Sequence, residues 1–320
     1  MGGHWLAELD GRRVTVEVPA SSANLGAGYD CLGVALDLTN RVELEVRGWS
    51  RGEIELTVDG EGSGELSDDR DNRFVRGLEA ALVEGRGELP DGVGWRISMR
   101  NKIPLARGLG SSAAATVAGV VAANALMGGP LDRDAQLRIA TSVEGHPDNA
   151  AAALLGGFVV SAATPDGVEA IRFDVPRELR AVLFIPELRL STAAMRRALP
   201  KNVPLEDAVA NLGAVGVGVA GLAAGRTDLL ARMTVDRLHE PYRAKVYPQL
   251  PRLVAAARDA GALGACLSGA GSTILAFVDS MTGISRVEGA LAAAAADTDL
   301  EGRILVVQPR NAGARVMSTA

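Results

Sequence analysis

Two glycines and two serines stand where an alanine-rich, almost uncharged helix begins. The segment "IPLARGLGSSAAATVAGVVAANAL", residues 103–126, places Gly108, Gly110, Ser111 and Ser112 directly before that run. The N-terminus of a helix has unpaired backbone N–H groups and a partial positive charge, so it binds anions where no side chain blocks their approach. Glycine removes the block, and a serine hydroxyl can bind phosphate or Mg²⁺. The spacing predicts a phosphate-binding loop; the alternative is a tight turn with a serine cap.

This loop differs from two common phosphate-binding patterns. It has no lysine after the second glycine, as a Walker A motif requires, and it lacks the three-glycine spacing of the dinucleotide fingerprint. The segment alone therefore leaves both interpretations open.

Hydrophobic periodicity predicts the elements that position the loop. Alternating apolar residues in "RRVTVEVPA", "VALDLTNRVELEVRG", "EIELTVDG" and "WRISMRNKIP" indicate strands in the first hundred residues. The stretch "DNRFVRGLEAALVEG" has helical spacing and is predicted to end at Gly85. Three further helices follow from Ser111 and end at "MGGP", "VEGHP" and "LLGG", since glycine and proline terminate helices.

The second half repeats an alternation of strands and helices. Strands are predicted at "FVVSA", "RAVLFIP" and "GRILVVQP", and helices near 191–199, 204–224, 248–260 and 283–297. The stretch "ATPDGVEAIRF" is interpreted as a loop and as the domain junction. The pattern predicts an α+β protein with two domains, residues 1–165 and 166–320.

Composition excludes several classes of function. The 320 residues carry a net charge of −6, with no basic run longer than two, so neither nucleic acid nor an anionic membrane is an expected partner. Residues 1–13 carry charges and no apolar run, which predicts a cytoplasmic protein. Cys31 and Cys266 have no His or Cys neighbours at metal-ligand spacing and are expected to be free, buried thiols.

Three motifs together resemble the GHMP kinases, a family of ATP-dependent small-molecule kinases. They are "PLARGLGSSAA", "VPASSANLGAGYDCLGVALDL" and "GALGACLSGAGSTILAF", which span nearly the whole chain. The segments "PASSANLGAGYDCLG", "EGHPDN", "STAAMRRALP" and "DRLHEPYR" are similar to those of the subgroup that phosphorylates L-homoserine. The resemblance implies an N-terminal domain of the ribosomal S5 domain 2-like type, a C-terminal ferredoxin-like domain and an active site between them.

The resemblance also implies a reaction. The expected activity is ATP- and Mg²⁺-dependent phosphorylation of the L-homoserine side-chain hydroxyl, a step of threonine biosynthesis, by a possible homodimer. The alternatives are another GHMP small-molecule kinase, acting on threonine or mevalonate, and a non-catalytic GHMP-fold sensor. Other members of the family differ at "STAAMR" and "HEPYR", and the matches at these two segments argue against the first alternative. Loss of Glu144 or of the glycine-serine loop would indicate the second, and neither is lost.

Site residues follow from the matched positions. The nucleotide is expected to contact Asn72, Pro104, Leu105, Ala106, Arg107, Gly108, Leu109, Gly110, Ser111, Ser112, Ala113 and Ala114. Ser112 and Glu144 are the expected Mg²⁺ ligands and, with Asn24, the catalytic residues, because a hard divalent cation prefers oxygen ligands. Two of these residues have a second interpretation. Asn72 can be the cap of a surface helix, and Glu144 can be a solvated glutamate at a helix end.

The expected substrate contacts are Asn24, Asp30, His146, Asn149, Arg196 and Arg243. The resemblance implies that Asp30 pairs with the substrate ammonium and that Asn24 orients the hydroxyl. It also implies that Arg196 and Arg243 bind the substrate carboxylate, since a guanidinium can donate two parallel hydrogen bonds to a carboxylate. No general base is assigned, because phosphoryl transfer depends mainly on positioning and charge neutralisation. Two alternatives stay open. Asn24 and Asp30 can belong to a turn whose side chains bind only its own backbone, and His146 can have a structural role.

Overall fold

Most of the chain is described by a computed structural model. The described residues are 9–48, 52–87, 89, 92–165 and 167–320. Residues 1–8, on which part of the cytoplasmic prediction and the start of the predicted first domain rest, lie outside them.

A mixed sheet forms the core of the N-terminal half. Its strands are β1 (Arg13–Ala23), β2 (Leu32–Arg47), β3 (Ile54–Gly60), β4 (Gly94–Asn101), β5 (Phe158–Thr164), β6 (Gly167–Phe173) and β11 (Arg315–Thr319). The order is β11-β1-β2-β4-β3, with β5 paired to β2 and β6 to β5. Only the β3–β4 pair is parallel among the described strands. The alternating valines of β1, such as Val14, Val16 and Val18, point into the core as the sequence predicts.

Four helices cover this sheet: α1 (Arg73–Arg86), α2 (Ser111–Leu126), α3 (Arg133–Glu144) and α4 (Asp148–Leu155). The prediction that α1 ends at Gly85 is wrong by one residue, because the helix continues to Arg86 and Gly87 adopts the left-handed cap conformation with φ of 86°. Gly85 has a packing role instead, since a Cβ there would lie 2.6 Å from the Met127 sulfur.

Helices α1 and α2 cross in backbone contact. A Cβ on Gly77 of α1 would lie 2.2 Å from the Thr116 carbonyl oxygen, and a Cβ on Gly119 of α2 would lie 2.0 Å from the Phe74 carbonyl oxygen. Real side chains essentially never approach so closely, so both positions require glycine. The contact fixes the N-terminus of α2, with the predicted phosphate loop, relative to the N-terminus of α1.

The C-terminal half is built on a second, antiparallel sheet. Its strands are β7 (Arg180–Pro186), β8 (Gly264–Leu267), β9 (Ile274–Val278) and β10 (Gly302–Val307), in the order β10-β7-β9-β8. Helices α9 (Leu250–Asp259) and α10 (Met281–Ala296) complete the succession βαββαβ with the strands. Succession and strand order are those of a ferredoxin-like domain, as the resemblance implies.

Four more helices lie between β7 and α9: α5 (Thr192–Arg197), α6 (Leu205–Ala223), α7 (Leu230–Met233) and α8 (Glu240–Arg243). The short helices α7 and α8 were not predicted. Helix α6 has the length and the apolar composition of a membrane-spanning helix, although only 22% of its most apolar stretch is buried. Its first turn carries Glu206 and Asp207.

The predicted loop at residues 163–173 is wrong. Most of it belongs to a β-hairpin, in which β6 pairs with β5 from Phe158 opposite Phe173 to Thr164 opposite Gly167. Pro165 lies in the turn of this hairpin, and the residues from Gly167 to Phe173 form a strand of the sheet. The strand that follows the predicted domain boundary at 165/166 therefore lies in the first sheet. Strand β11, also unpredicted, returns the end of the chain to β1.

Candidate active site

The glycine-serine loop is held between the two halves of the protein. Gly108 has φ of 75° and Gly110, the N-cap of α2, has φ of 69°. A Cβ on Gly108 would lie 2.0 Å from the Ser268 carbonyl oxygen, and one on Gly110 would lie 2.1 Å from the Ser21 hydroxyl. Packing alone therefore requires both glycines. The α2 N-cap, Gly110, makes no side-chain hydrogen bond.

Two adjoining cavities meet at this helix N-terminus. We call the first, of about 130 Å³, the central cavity, and the second, of about 300 Å³, the side cavity. Every predicted loop residue from 104 to 114 lines one or both of them. The central cavity is also lined by all the predicted substrate residues: Asn24, Asp30, His146, Asn149, Arg196 and Arg243.

Asn72 lines the side cavity and also caps α1. Its Oδ1 accepts a hydrogen bond of 2.9 Å from the Phe74 amide, and its Nδ2 donates one of 2.7 Å to the Ser67 carbonyl. Capping is the role that the structure shows, because the side chain is 5% exposed and both of its polar atoms are engaged. The nucleotide contact of Asn72 stays a prediction.

Ser112 and Glu144 meet beside the loop. The Ser112 hydroxyl lies 3.0 and 2.9 Å from the two Glu144 carboxylate oxygens, and the Thr116 hydroxyl donates to Oε1 at 2.6 Å. Arg73 lies 3.6 Å from the same oxygen. Glu144 is thus an oriented carboxylate with a side chain 7% exposed, rather than a solvated helix end.

This donor set fits Mg²⁺. The ion takes oxygen ligands, commonly one or two carboxylates completed by substrate phosphates and water. Ser112 and Glu144 supply a hydroxyl and a carboxylate at a helix N-terminus suited to phosphate. No group of three His, Cys, Asp or Glu side chains able to hold a metal occurs within the described ranges.

The Asn24–Asp30 loop presents two polar side chains to the central cavity. Asn24 and Asp30 have φ of 67° and 54°, the left-handed conformation that Asn and Asp tolerate. The Asn24 side chain accepts a hydrogen bond of 3.0 Å from the Asp30 amide and donates one of 2.8 Å to the Gly269 carbonyl. One amide hydrogen and one lone pair of Asn24 remain for a ligand.

Arg196 pairs with Asp30 across the cavity. Its Nη1 and Nη2 donate to the two carboxylate oxygens at 3.0 and 2.6 Å, and Nη1 also donates to the Tyr29 hydroxyl at 2.7 Å. The neighbouring Arg197 is exposed. Arg196 lines the central cavity, and the sequence did not predict its bidentate pair with Asp30.

Arg243 is buried and held by a histidine. Its Nη1 donates to the Gly269 carbonyl at 2.9 Å and lies 3.0 Å from the His239 Nδ1. The His239 Nε2 lies 2.7 Å from the Gly26 carbonyl oxygen, which can only accept, so Nε2 carries the hydrogen and Nδ1 accepts from Arg243. Burial lowers the pKa of His239 to about 4, which keeps the ring neutral. Burial also lowers the pKa of Arg243.

The "EGHPDN" segment adds a third group of polar side chains. The Asn149 Oδ1 accepts from the Ser21 hydroxyl at 2.9 Å. His146 Nδ1 is buried with no hydrogen-bond partner in the described part of the chain, and it lies 3.8 Å from the Asp148 carboxylate. Burial raises the pKa of Asp148 to about 6. Asp148 lines the central cavity as well.

Sequence reasoning did not select Tyr29, Thr116, Asp148 or His239. Thr116 stands four residues after Ser112, so helical spacing could have placed both hydroxyls on one face. The ring of Tyr29 lies 5.5 Å from the guanidinium carbons of both Arg196 and Arg243. Nothing local in the sequence indicates that contact, because it joins residues more than 160 positions apart.

Two family models match the chain. The model of the GHMP kinases N terminal domain matches residues 73–157, and the model of the GHMP kinases C terminal matches residues 219–297. The first match contains the glycine-serine loop and Glu144, and the second contains Arg243.

Full-length relatives agree with these models. The chain is 42% identical to a homoserine kinase of Moorella thermoacetica, over 94% of this chain and 99% of the relative. It is 39% identical to a homoserine kinase of Caldicellulosiruptor bescii, over 95% and 97%. The crystal structure of homoserine kinase from Cytophaga hutchinsonii superposes with a TM-score of 0.84 at 32% identity, covering 95% of this chain and 97% of that one. A mevalonate kinase from L. major, at 17% identity and a TM-score of 0.64, shares the fold.

Proposed function

Because this chain belongs to the GHMP kinase family, we propose that it transfers the γ-phosphoryl group of ATP to the side-chain hydroxyl of L-homoserine, giving O-phospho-L-homoserine. The observation that carries this substrate is the Arg196–Asp30 pair in the central cavity. An amino-acid zwitterion offers a carboxylate to the arginine and an ammonium to the aspartate. It can therefore replace both halves of the pair at once.

An alcohol without these two charges cannot replace the pair. If a neutral diol entered the cavity and the Arg196–Asp30 pair stayed intact, the pair would occupy the space that the diol needs. If the pair separated, both charges would be left without partners. A fully buried, unpaired charge costs roughly 1–3 kcal/mol or more, and water screens part of that cost here because the Arg196 and Asp30 side chains are 35% and 33% exposed. Arg243 adds a second, fixed positive charge on the same side, since His239 and Gly269 hold its guanidinium. The charges thus support an amino-acid substrate over an isoprenoid alcohol.

For the nucleotide, the proposal places the phosphates at the N-terminus of α2 and the purine in the side cavity. The backbone N–H groups after Gly110 orient the phosphates, and glycine at 108 and 110 lets the loop adopt positive φ while it packs against Ser268 and Ser21. Mg²⁺ bound by Ser112 and Glu144 would neutralise charge on the phosphate oxygens. The intact Ser112–Glu144 contact supports a catalytic rather than a sensor role.

The remaining groups orient the acceptor. Asn24 has one amide hydrogen and one lone pair to hold the hydroxyl in line with the phosphate. No side chain is assigned as a general base, since a loose phosphoryl-transfer transition state requires mainly alignment and charge neutralisation. A place in threonine biosynthesis and a cytoplasmic location belong to the same proposal, and the free thiols Cys31 and Cys266 fit a reducing compartment.

An ADP-release assay with a panel of alcohols tests the proposal. The panel contains L-homoserine, its methyl ester, 1,4-butanediol, L-threonine and mevalonate. We expect kcat/KM for homoserine to exceed that for the ester and the diol at least about tenfold, because the ester lacks the carboxylate charge and the diol lacks both charges. We expect Arg196→Ala to lower kcat/KM for homoserine and so to reduce its ratio to the value for the ester. Arg197→Ala, the matched control, should leave this ratio unchanged. Equal turnover of mevalonate or the diol by the wild type contradicts the proposal.

A further inference from the structure

Tyr29 stands behind the two arginines that face the central cavity. It is half-buried, and it does not belong to the residues that line this cavity in the described part of the chain. Its hydroxyl accepts a hydrogen bond of 2.7 Å from Arg196 Nη1, and its ring centre lies 5.5 Å from the guanidinium carbon of Arg243. Tyr29 therefore contacts both positive charges without lining the cavity itself.

The ring of Tyr29 counteracts the repulsion between these two arginines. Burial lowers the pKa of Arg243, and the positive charge of Arg196 contributes to the same shift, so the two guanidinium groups are close enough to repel each other. Both guanidinium carbons lie 5.5 Å from the ring centre, within the range at which an aromatic ring attracts a cation. A ring that attracts both charges stabilises their approach to one another.

The same ring packs on the histidine that orients Arg243. The ring centres of Tyr29 and His239 lie 5.4 Å apart, with an angle of 37° between the ring planes. The His239 Nδ1 in turn lies 3.0 Å from Arg243 Nη1. One side chain of the Asn24–Asp30 loop thus contacts the guanidinium carried by α5 and the histidine at the start of α8.

The hydrogen bonds of Arg196 show at which point Tyr29 matters. One hydrogen of Nη1 and one of Nη2 go to the Asp30 carboxylate, and the second hydrogen of Nη1 goes to Tyr29. When an amino-acid zwitterion replaces the ion pair, its ammonium engages Asp30, and its carboxylate takes the two hydrogens that Asp30 releases. Among the described residues, Tyr29 is then the hydrogen-bond acceptor that still holds the Arg196 guanidinium.

We propose that Tyr29 is a positioning residue for the substrate carboxylate, because its hydroxyl keeps the Arg196 guanidinium beside Arg243 while Asp30 is exchanged for the substrate. This role rests on the proposed function, since it requires a substrate with a carboxylate. Burial and, next, the charge of Asp30 raise the pKa of Tyr29. The phenol therefore stays neutral, and it accepts from Arg196 without cancelling the positive charge that binds the carboxylate.

Removal of the hydroxyl tests this role on the full chain. Calorimetry measures the Kd of L-homoserine, and the ADP-release assay measures kcat and the two KM values. We expect Tyr29→Phe to raise the Kd and KM of homoserine about tenfold, with kcat and the ATP KM unchanged. Tenfold is at the low end for a hydrogen bond to a charged group, because Tyr29 and Arg196 are only half-buried.

Two further variants separate the hydroxyl from the ring. Tyr29→Leu removes both, so the Kd of homoserine should rise about thirtyfold or more, beyond the effect of Tyr29→Phe. Tyr242→Phe is the matched control, because Tyr242 is a half-buried tyrosine of α8 whose ring lies 5.5 Å from the Lys245 ammonium nitrogen. It should behave as the wild type does.

A double-mutant cycle shows through which residue Tyr29 acts. In the Arg196→Ala background, Tyr29→Phe should change the Kd of homoserine less than about twofold, because the hydroxyl has lost the group that it holds. A wild type that binds homoserine no more tightly than 1,4-butanediol contradicts the proposed function and this proposal with it. If the wild type prefers homoserine, three results overturn the role of Tyr29 alone: an unchanged Kd in Tyr29→Phe, a parallel rise in the ATP KM, or an equal loss in the Arg196→Ala background.

Discussion

Single residues in the central cavity are held by partners from distant parts of the chain. Glu144 is fixed by two hydroxyls of α2, and Arg243 by His239 and the Gly269 carbonyl. Such contacts pre-set the direction of each functional group, so little reorganisation is needed when charge develops on a transferring phosphoryl group. Substitutions that keep shape but change charge or hydrogen-bond polarity are therefore the informative ones.

The first prediction concerns Glu144. Glu144→Gln keeps an oxygen that can accept from Ser112 and Thr116, so the fold should persist, but it removes the negative charge available to Mg²⁺. We expect kcat to fall about a hundredfold or more. The ADP-release assay over a Mg²⁺ titration measures this, and Glu84→Gln, at an exposed glutamate paired with Arg138, is the control. Wild-type turnover of Glu144→Gln at saturating Mg²⁺ would contradict the proposal that this residue binds the metal.

The second prediction concerns His239. The amide of Gln at 239 can still donate toward Gly26, but it offers no acceptor at the position of Nδ1. Asn offers an oxygen there for Arg243. We expect His239→Gln to raise the homoserine KM about tenfold with little change in the ATP KM, and His239→Asn to retain most of the affinity.

The pH profile separates positioning by His239 from a purely structural role. Because its pKa is about 4, the ring stays neutral and the homoserine KM of the wild type should not reflect His239 titration between pH 5 and 8. Equal losses of stability and kcat in both variants, with KM unchanged, would contradict a positioning role.

At the scale of elements, α8 depends on two buried carboxyl groups. Asp236 accepts from the amides of Leu238, His239 and Glu240 at 3.0, 2.8 and 2.6 Å and so caps the helix. Glu240 accepts from the Leu267 amide of β8 at 2.7 Å and fastens α8 to the second sheet. This single helical turn can carry Arg243 because tertiary contacts replace the stability that its length cannot supply.

The third prediction follows from Glu240, whose pKa is raised to about 7 by burial. The unfolded carboxyl ionises near its ordinary pKa of 4.5, whereas the folded one keeps its proton up to about 7. The unfolded state therefore binds fewer protons in this window, and the free energy of unfolding falls as pH rises through it. Relative to Glu240→Gln, the wild type should lose about 3 kcal/mol between pH 4.5 and 7.

Urea unfolding at several pH values measures this difference. Gln keeps an acceptor for Leu267 and does not titrate, so the variant isolates the Glu240 contribution. Glu178→Gln, at an exposed position, should follow the wild-type curve. A wild-type curve parallel to that of Glu240→Gln across the window would show that the buried carboxyl does not hold its proton.

At the scale of the whole molecule, the sequence predicts what is local and misses what is distant. Periodicity located α2, α6, α9 and α10, and the glycine-serine loop stands at a helix N-terminus as expected. Strand β6 of the hairpin was predicted as a loop. Pro165 and Gly167 indicate a turn, and the alternation of apolar residues that follows them is too short to have been interpreted as a strand. The Arg196–Asp30 pair was missed because a motif assigns each residue a ligand, whereas the fold also pairs the residues with each other.

The glycine crossing of α1 and α2 has a consequence for how this architecture can vary. Because neither Gly77 nor Gly119 can gain even a methyl group, the separation of the two helices is the same for any sequence that keeps the crossing. The distance between the N-termini of α1 and α2, which border the side cavity, is therefore fixed as long as the crossing is kept. Nucleotide preference is then expected to depend on the side chains that line that cavity, on the loops at residues 66–71 and 101–106 and on the two helices, rather than on the helix separation.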